Sequence, residues 1–139
     1  FSGVTVGVVD ERSEIAGSVN GIPQHFVGCR TDVLDKSPKP EGMLMLIRSM
    51  APSVIATDEL GTGEDIKACH EILNAGISLL ATAHGSGYAD LLKRPQLRKL
   101  ILENFFEKYI ILNRLKGPGN IENILDAQGK SIFRGGYKC

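Results

Sequence analysis

The sequence predicts an α/β fold with a mostly parallel sheet flanked by helices, and three apolar runs carry that prediction. Val4-Thr5-Val6-Gly7-Val8-Val9 ends in Asp10-Glu11-Arg12. Pro52-Ser53-Val54-Ile55-Ala56-Thr57 ends in Asp58-Glu59, and Ile77-Ser78-Leu79-Leu80-Ala81-Thr82-Ala83 ends in His84. Continuous apolar runs bounded by polar residues suit strands covered on both faces, as in parallel sheets. A helical pattern lies between the second and third runs, which is the signature of a βαβ unit. In a parallel sheet every carboxyl end points to one edge, and ligands bind along that edge. Asp10, Glu11, Asp58, Glu59 and His84 are therefore expected together on one rim.

The remaining elements follow in order. Glu14 to Pro23 is rich in glycine, asparagine and proline and reads as a loop. Arg30 to Gly42, with Asp32, Asp35, Pro38 and Pro40, reads as a second irregular stretch of the kind that often carries function. Met43 to Met50 is an apolar helix stopped by Pro52, and its methionines suit core filling. Arg48 is the single charge in that run, placed either on the surface or toward the rim carboxylates. Thr62-Gly63-Glu64-Asp65 resembles a capping box, Ile66, Cys69, Ile72 and Leu73 recur at helical spacing, and Gly76 ends the helix. Tyr88 to Leu92 and Gln96 to Glu103 read as helices, and Phe106 to Leu112 reads as a strand. Ile121 to Ala127 and Ser131 to Arg134 flank Gln128-Gly129-Lys130 and predict a C-terminal β-hairpin.

A chain of 139 residues suggests one domain, spanning 1–139. A hydrophobic fraction of 42% is ordinary for a globular protein. Sixteen basic and sixteen acidic residues give a net charge of zero, so no nucleic-acid partner is expected. No apolar run approaches the roughly 18 to 20 residues of a membrane span. Cys29, Cys69 and Cys139 are odd in number and widely spaced, which suits a reducing cytosol and implies no disulfide framework. Cys69 and His70 are neighbours on a helix and point about 100° apart, a poor metal pair. The chain starts at Phe1 almost directly in a strand, and it reads as a fragment that lacks the N-terminal part of its core.

An apolar strand that delivers two adjacent acids to a sheet rim is the Walker B arrangement of nucleotide hydrolases. One acid holds Mg²⁺ through water and the next orients the attacking water. The same pattern also suits a buried strand leaving into a solvated acidic turn. Such a hydrolase needs a phosphate loop, G-x-x-x-x-G-K-[ST], whose backbone N–H groups cradle the phosphates. The single Gly-Lys-Ser is Gly129-Lys130-Ser131, and Ile124 stands where the motif needs its first glycine. Its setting is hairpin-like rather than strand-to-helix, so it is a decoy. Either the loop lies upstream of Phe1 or the domain is not a nucleotide hydrolase.

The order of motifs resembles a known family. Val9-Asp10-Glu11-Arg12-Ser13-Glu14-Ile15-Ala16, Gly28-x-Arg30-Thr31-Asp32-Val33-Leu34-Asp35, Ile47-Arg48-Ser49-Met50-x-Pro52-x-Val54-Ile55-x-x-Asp58-Glu59 and Thr82-Ala83-His84-Gly85 are similar to the stage III sporulation protein AA family. The resemblance covers nearly the whole chain. That family resembles the type II and type IV secretion ATPases, ring-shaped hexameric motors with a RecA-like P-loop core. The resemblance implies an ATP-hydrolysing subunit that uses ATP and Mg²⁺ and assembles with itself. It implies a place in the mother-cell cytoplasm, peripheral to a membrane, where the motor energises a sporulation channel complex of membrane proteins.

The resemblance also implies roles for single residues. Asp10, Glu11 and Glu14 match the acidic box of the secretion ATPases, and Thr82-Ala83-His84 matches the histidine box. Glu59 would be the catalytic acid that orients or deprotonates water. Asp58 stands where many of these ATPases have glycine and would hold Mg²⁺ through water. His84 would sense the terminal phosphate, and Asp10 and Glu11 would bind metal or water. Arg12, Arg30 or Arg48 would neutralise phosphate charge, in part from a neighbouring subunit. Two other classes stay open. One is a docking module that contacts a channel complex through Met43 to Met50 and the stretch from Arg30 to Gly42. The other is a hydrolase that holds a divalent cation directly on Asp10, Asp58, Glu59 and His84.

Overall fold

The structure is a computed structural model, and it describes residues 3–115 and 117–133. The chain divides into two compact units, Phe1–His84 and Gly85–Cys139.

The first unit is built on a parallel sheet. Strands β1 (Val6–Asp10), β2 (Thr31–Asp35), β3 (Val54–Thr57) and β4 (Ser78–Ala81) pair in the order β2-β1-β3-β4, every pair parallel. Helix α1 (Lys39–Ser49) joins β2 to β3, and α2 (Gly63–Asn74) joins β3 to β4. The three predicted run-ends thus lie on consecutive neighbours β1, β3 and β4.

Alternation decides which side chains meet the helices. Val9 and Ile55 are fully buried, as are Met43 of α1 and Cys69 and Ile72 of α2. Val6, Val8, Val54 and Ala56 form a second buried cluster, with Ile15 and Val33 packed against it. Each such aliphatic side chain contributes about 1.5 to 3 kcal/mol on burial. Close approach of α1 to β1 depends on Gly42, since a Cβ there would lie 2.6 Å from Val9 Cγ1. Burial pushes the Cys69 thiol up to about 12, with the nearby Asp65 charge adding to it, so this cysteine is an inert core residue.

Helix α2 carries the predicted cap in full. The Asp65 N–H donates to Thr62 Oγ1 at 3.1 Å, and the Thr62 N–H donates to Asp65 Oδ2 at 2.8 Å. At the other end Gly76 takes a φ of 71°, the left-handed conformation that lets the chain turn out of the helix.

Two expectations need correction. The stretch from Arg30 to Gly42 is not irregular throughout, because Thr31–Asp35 is a strand paired with β1 and α1 already starts at Lys39. Thr-Asp-Val-Leu-Asp offers only two adjacent apolar residues, so its strand state comes from pairing with β1 rather than from pattern. The helix start was hidden by Pro40, which belongs in the first turn, where its missing N–H costs nothing. Of the methionines in α1, Met43 is buried in the core as expected, while Met45 is exposed.

The second unit contains short helix α3 (Tyr88–Leu91), α4 (Pro95–Leu102) and an antiparallel hairpin of β5 (Lys108–Asn113) and β6 (Asn120–Asp126). Its core gathers Ile101, Tyr109 and Leu125, with Tyr88, Leu91 and Phe106 around them. The C-terminal hairpin is present, but its strands differ from the predicted pair. Tyr109 to Leu112 pairs with β6, and Ser131 makes only an isolated bridge to Leu125. The predicted partner strand ends at Arg134, which lies outside the described residues. Among the described residues no helix is long and apolar enough to cross a membrane.

Candidate functional site

The carboxyl edge of the sheet in the first unit brings together Asp10, Glu11, Arg12, Asp58, Glu59 and His84, with Lys39 added. The fold treats the four acids of this edge differently.

Asp10, the last residue of β1, is fully buried. Its Oδ1 accepts from the Glu14 N–H at 2.8 Å and the Ile15 N–H at 3.2 Å. Its Oδ2 accepts from the Ala16 N–H at 2.8 Å and the Ile15 N–H at 3.1 Å. Both oxygens are therefore occupied by the loop that follows β1. That loop is further tied down by a hydrogen bond from the Ser13 hydroxyl to Asp35 Oδ1. The folded loop holds Glu11 and Arg12 out over the rim.

Asp58 follows β3 directly, and its side chain is only 5% exposed. Lys39 opens α1 just beyond the carboxyl end of β2, so its side chain enters the same edge. The Lys39 Nζ donates to Glu11 Oε2 at 2.9 Å and to Asp58 Oδ1 at 3.2 Å. Burial alone would lower the lysine pKa. The hydrogen bonds to Glu11 and Asp58 and their charges outweigh burial, so it stands above the usual lysine value. Asp58 Oδ2 is buried and has no hydrogen-bond partner among the described residues.

Glu59 sits on the open side of the rim. Its Oε2 lies 3.5 Å from Arg12 Nη1 and 3.7 Å from His84 Nε2. Arg12 comes from the loop after β1, and His84 follows β4. The 3.7 Å separation is too long for a hydrogen bond, so His84 and Glu59 are electrostatic neighbours only. The Leu60 N–H donates to the Thr82 carbonyl at 2.9 Å, which ties the segments after β3 and β4 together below this group.

Two predicted residues lie elsewhere. Arg30 precedes β2 at the amino edge of the sheet, and its Nη1 donates to the Gly3 carbonyl at 3.1 Å. Arg48 is in the last turn of α1, in a shallow groove shared with Lys67, Glu64 and Glu71. Since α1 starts at the rim and rises about 1.5 Å per residue, its last turn lies well away from the rim acids. The residue that sequence reasoning missed is Lys39. Its place, opening a helix directly after a parallel strand, becomes visible only once β2 is known to be a strand.

Among the described residues no group of three or more His, Cys, Asp or Glu is arranged to hold a metal ion. A cation held directly by Asp10, Asp58, Glu59 and His84 does not fit, because Asp10 is occupied by backbone N–H groups. The orphaned Asp58 Oδ2 does fit a hydrogen bond from a water of a magnesium shell. Gly129-Lys130-Ser131 lies in the turn after β6, where the Lys130 N–H donates to Asp126 Oδ1 and no helix follows among the described residues.

The arrangement belongs to a known class of fold. The chain superposes on the X-ray structure of the Legionella pneumophila ATPase DotB with a TM-score of 0.60 at 15% identity, over 89% of this chain and 37% of that one. The likeness shows that the chain shares the fold of that structure. The family described as Sporulation stage III, protein AA, matches residues 1–132, and the chain belongs to it. It is 51% identical over 131 residues to the Stage III sporulation protein AA of Bacillus subtilis (strain 168), covering 94% of this chain and 43% of that protein. It is 34% identical over 133 residues to the uncharacterized protein ycf45 of Porphyra purpurea, covering 93% of this chain and 23% of that protein. The chain thus spans less than half the length of these relatives.

Proposed function

We propose that this chain forms the water-activating half of an ATP-hydrolysing motor subunit, whose full-length form energises a secretion-like channel complex during sporulation. The observation that carries the reading is the position of Glu59. It stands at the rim, part-exposed, between Arg12 and His84, which arrive from the ends of two other strands.

In this reading Glu59 orients the attacking water and takes its proton. Asp58 Oδ2 accepts a hydrogen bond from the magnesium shell, and the ion supplies charge neutralisation at the phosphates. His84 stands beside Glu59, where it would sense the terminal phosphate and pass its presence to β4. Arg12 faces the same opening and would neutralise developing phosphate charge. Glu11 and Asp10 act through structure, the first by holding Lys39 and the second by folding the loop. Arg30 and Arg48 would serve only toward a neighbouring copy, because both lie off the rim.

The edge position of β4 also supports the reading. Its run is continuously apolar, as a doubly covered strand would be, yet Leu80 is 50% exposed. A further parallel strand beside β4 would end next to His84 and Glu59, where a phosphate loop is needed. The subunit would assemble with itself as a hexameric ring in the mother-cell cytoplasm, at the periphery of the membrane that holds its channel partners.

The test is Glu59→Gln in a full-length family member. Turnover is expected to be lost while ATP binding survives. Undiminished turnover would remove Glu59 from this role. The 139-residue chain alone is expected to bind Mg-ATP weakly or not at all, and calorimetry showing tight one-to-one binding would contradict that.

A further inference from the structure

Lys39 has no place in the reaction described above, yet its side chain is 9% exposed and bridges two acids of the rim. We infer that Lys39 is a built-in cation that closes the Glu11–Asp58 pair to a free divalent ion and fixes Asp58 with Oδ2 as its one available oxygen.

The argument starts from charge. Two carboxylates that converge on one point repel unless a cation stands between them, and such pairs attract hard divalent ions. Here the Lys39 ammonium already stands there, 2.9 Å from Glu11 Oε2 and 3.2 Å from Asp58 Oδ1. A divalent ion at the same point would have to expel a buried ammonium and leave it unpaired, which is costly. Lysine suits this use better than arginine, since its ammonium is a compact charge on a flexible stem. The second observation is the orphaned Asp58 Oδ2. With Oδ1 held by Lys39, the carboxylate cannot rotate to satisfy Oδ2 without breaking the ion pair. Lys39 is in this sense a positioning residue for Asp58. The inference rests on the proposed function only for what Oδ2 receives, since exclusion of the free ion needs no nucleotide.

The experiment reads Mn²⁺ uptake by electron paramagnetic resonance on the purified protein without nucleotide. Wild-type protein is expected to leave the free-ion signal intact. Lys39→Met is expected to take up about one equivalent and lower the free-ion signal accordingly. Adding Asp58→Asn to that variant is expected to abolish the gain. Equal uptake by wild type and Lys39→Met overturns the inference, as does a gain that survives Asp58→Asn. Should Lys39→Met fail to fold, the wild type decides by ¹⁵N spectra of lysine side chains, with the Lys39 signal identified by its loss in Lys39→Arg. That signal is expected to stay in place through a Mg²⁺ titration, and a shift or loss with Mg²⁺ alone overturns the inference. Failure of the proposed function would appear instead as normal turnover in Glu59→Gln, a measurement independent of metal uptake.

Discussion

Asp58 and Glu59 are adjacent in sequence and meet opposite environments. Asp58 is buried against Lys39, whereas Glu59 is about one-third exposed between Arg12 and His84, two side chains that are mostly in solvent. The two side chains leave the end of β3 in different directions, Asp58 to Lys39 of α1 and Glu59 to the opening. The buried side of the rim is a structural ion pair with a heavy penalty for losing one member. The open side holds groups that are free to meet a ligand. A single strand end therefore supplies both the buried support of the rim and its open edge.

The contrast breaks most visibly if the open side proves dispensable. Glu59→Gln in the full-length protein should lower turnover by about 10²- to 10⁴-fold, the scale of a lost general base. Its melting temperature should stay close to that of wild type, because the residue is part-exposed and poorly hydrogen-bonded. A large loss of stability with normal turnover would place Glu59 on the structural side instead.

The buried side should answer in the reverse way. Lys39→Ala leaves the buried Asp58 carboxylate without its cation, so unfolding in urea should show a loss of about 3 to 5 kcal/mol. A loss under about 1 kcal/mol would mean that water replaces the ammonium and that the pair is not closed. Asp10→Ala should cost about 2 to 3 kcal/mol, since it leaves the backbone N–H groups of the 14–16 loop, Ala16 buried among them, without their acceptor. Hydrogen exchange should show those amides losing protection first. Unchanged protection there would separate Asp10 from the loop it is seen to hold.

The same contrast explains how much could be read from sequence. Strands β1, β3 and β4 were legible because each is a continuous apolar run with a polar stop, and the stops named Asp10, Asp58, Glu59 and His84. The capping box of α2 was legible because Thr62 and Asp65 act on their own backbone neighbours. Strand β2 was not, since Asp32 and Asp35 frame only Val33 and Leu34, and its pairing partner β1 is remote in sequence. Lys39 was lost with it. A buried lysine has no local signature, as only the fold reveals that two carboxylates converge on its ammonium. The difference between Asp10 and Glu11 was also invisible, because which acid the loop wraps around is a matter of three-dimensional closure.

The smallest expected effect sharpens the contrast most. Arg12 faces Glu59 at 3.5 Å, and its side chain is 64% exposed. Exposed pairs at this distance are worth about 0 to 1 kcal/mol, because solvent screens the attraction and ordering two long side chains opposes it. Arg12→Ala should therefore change urea stability by no more than about 0.5 kcal/mol. The same substitution should still lower turnover in the full-length protein, because a cation at the opening matters only when a phosphate is there to neutralise. If Arg12→Ala instead destabilises the fold as strongly as Lys39→Ala, both sides of the rim are structural supports. The division between a buried scaffold and an open reactive edge would then have to be given up.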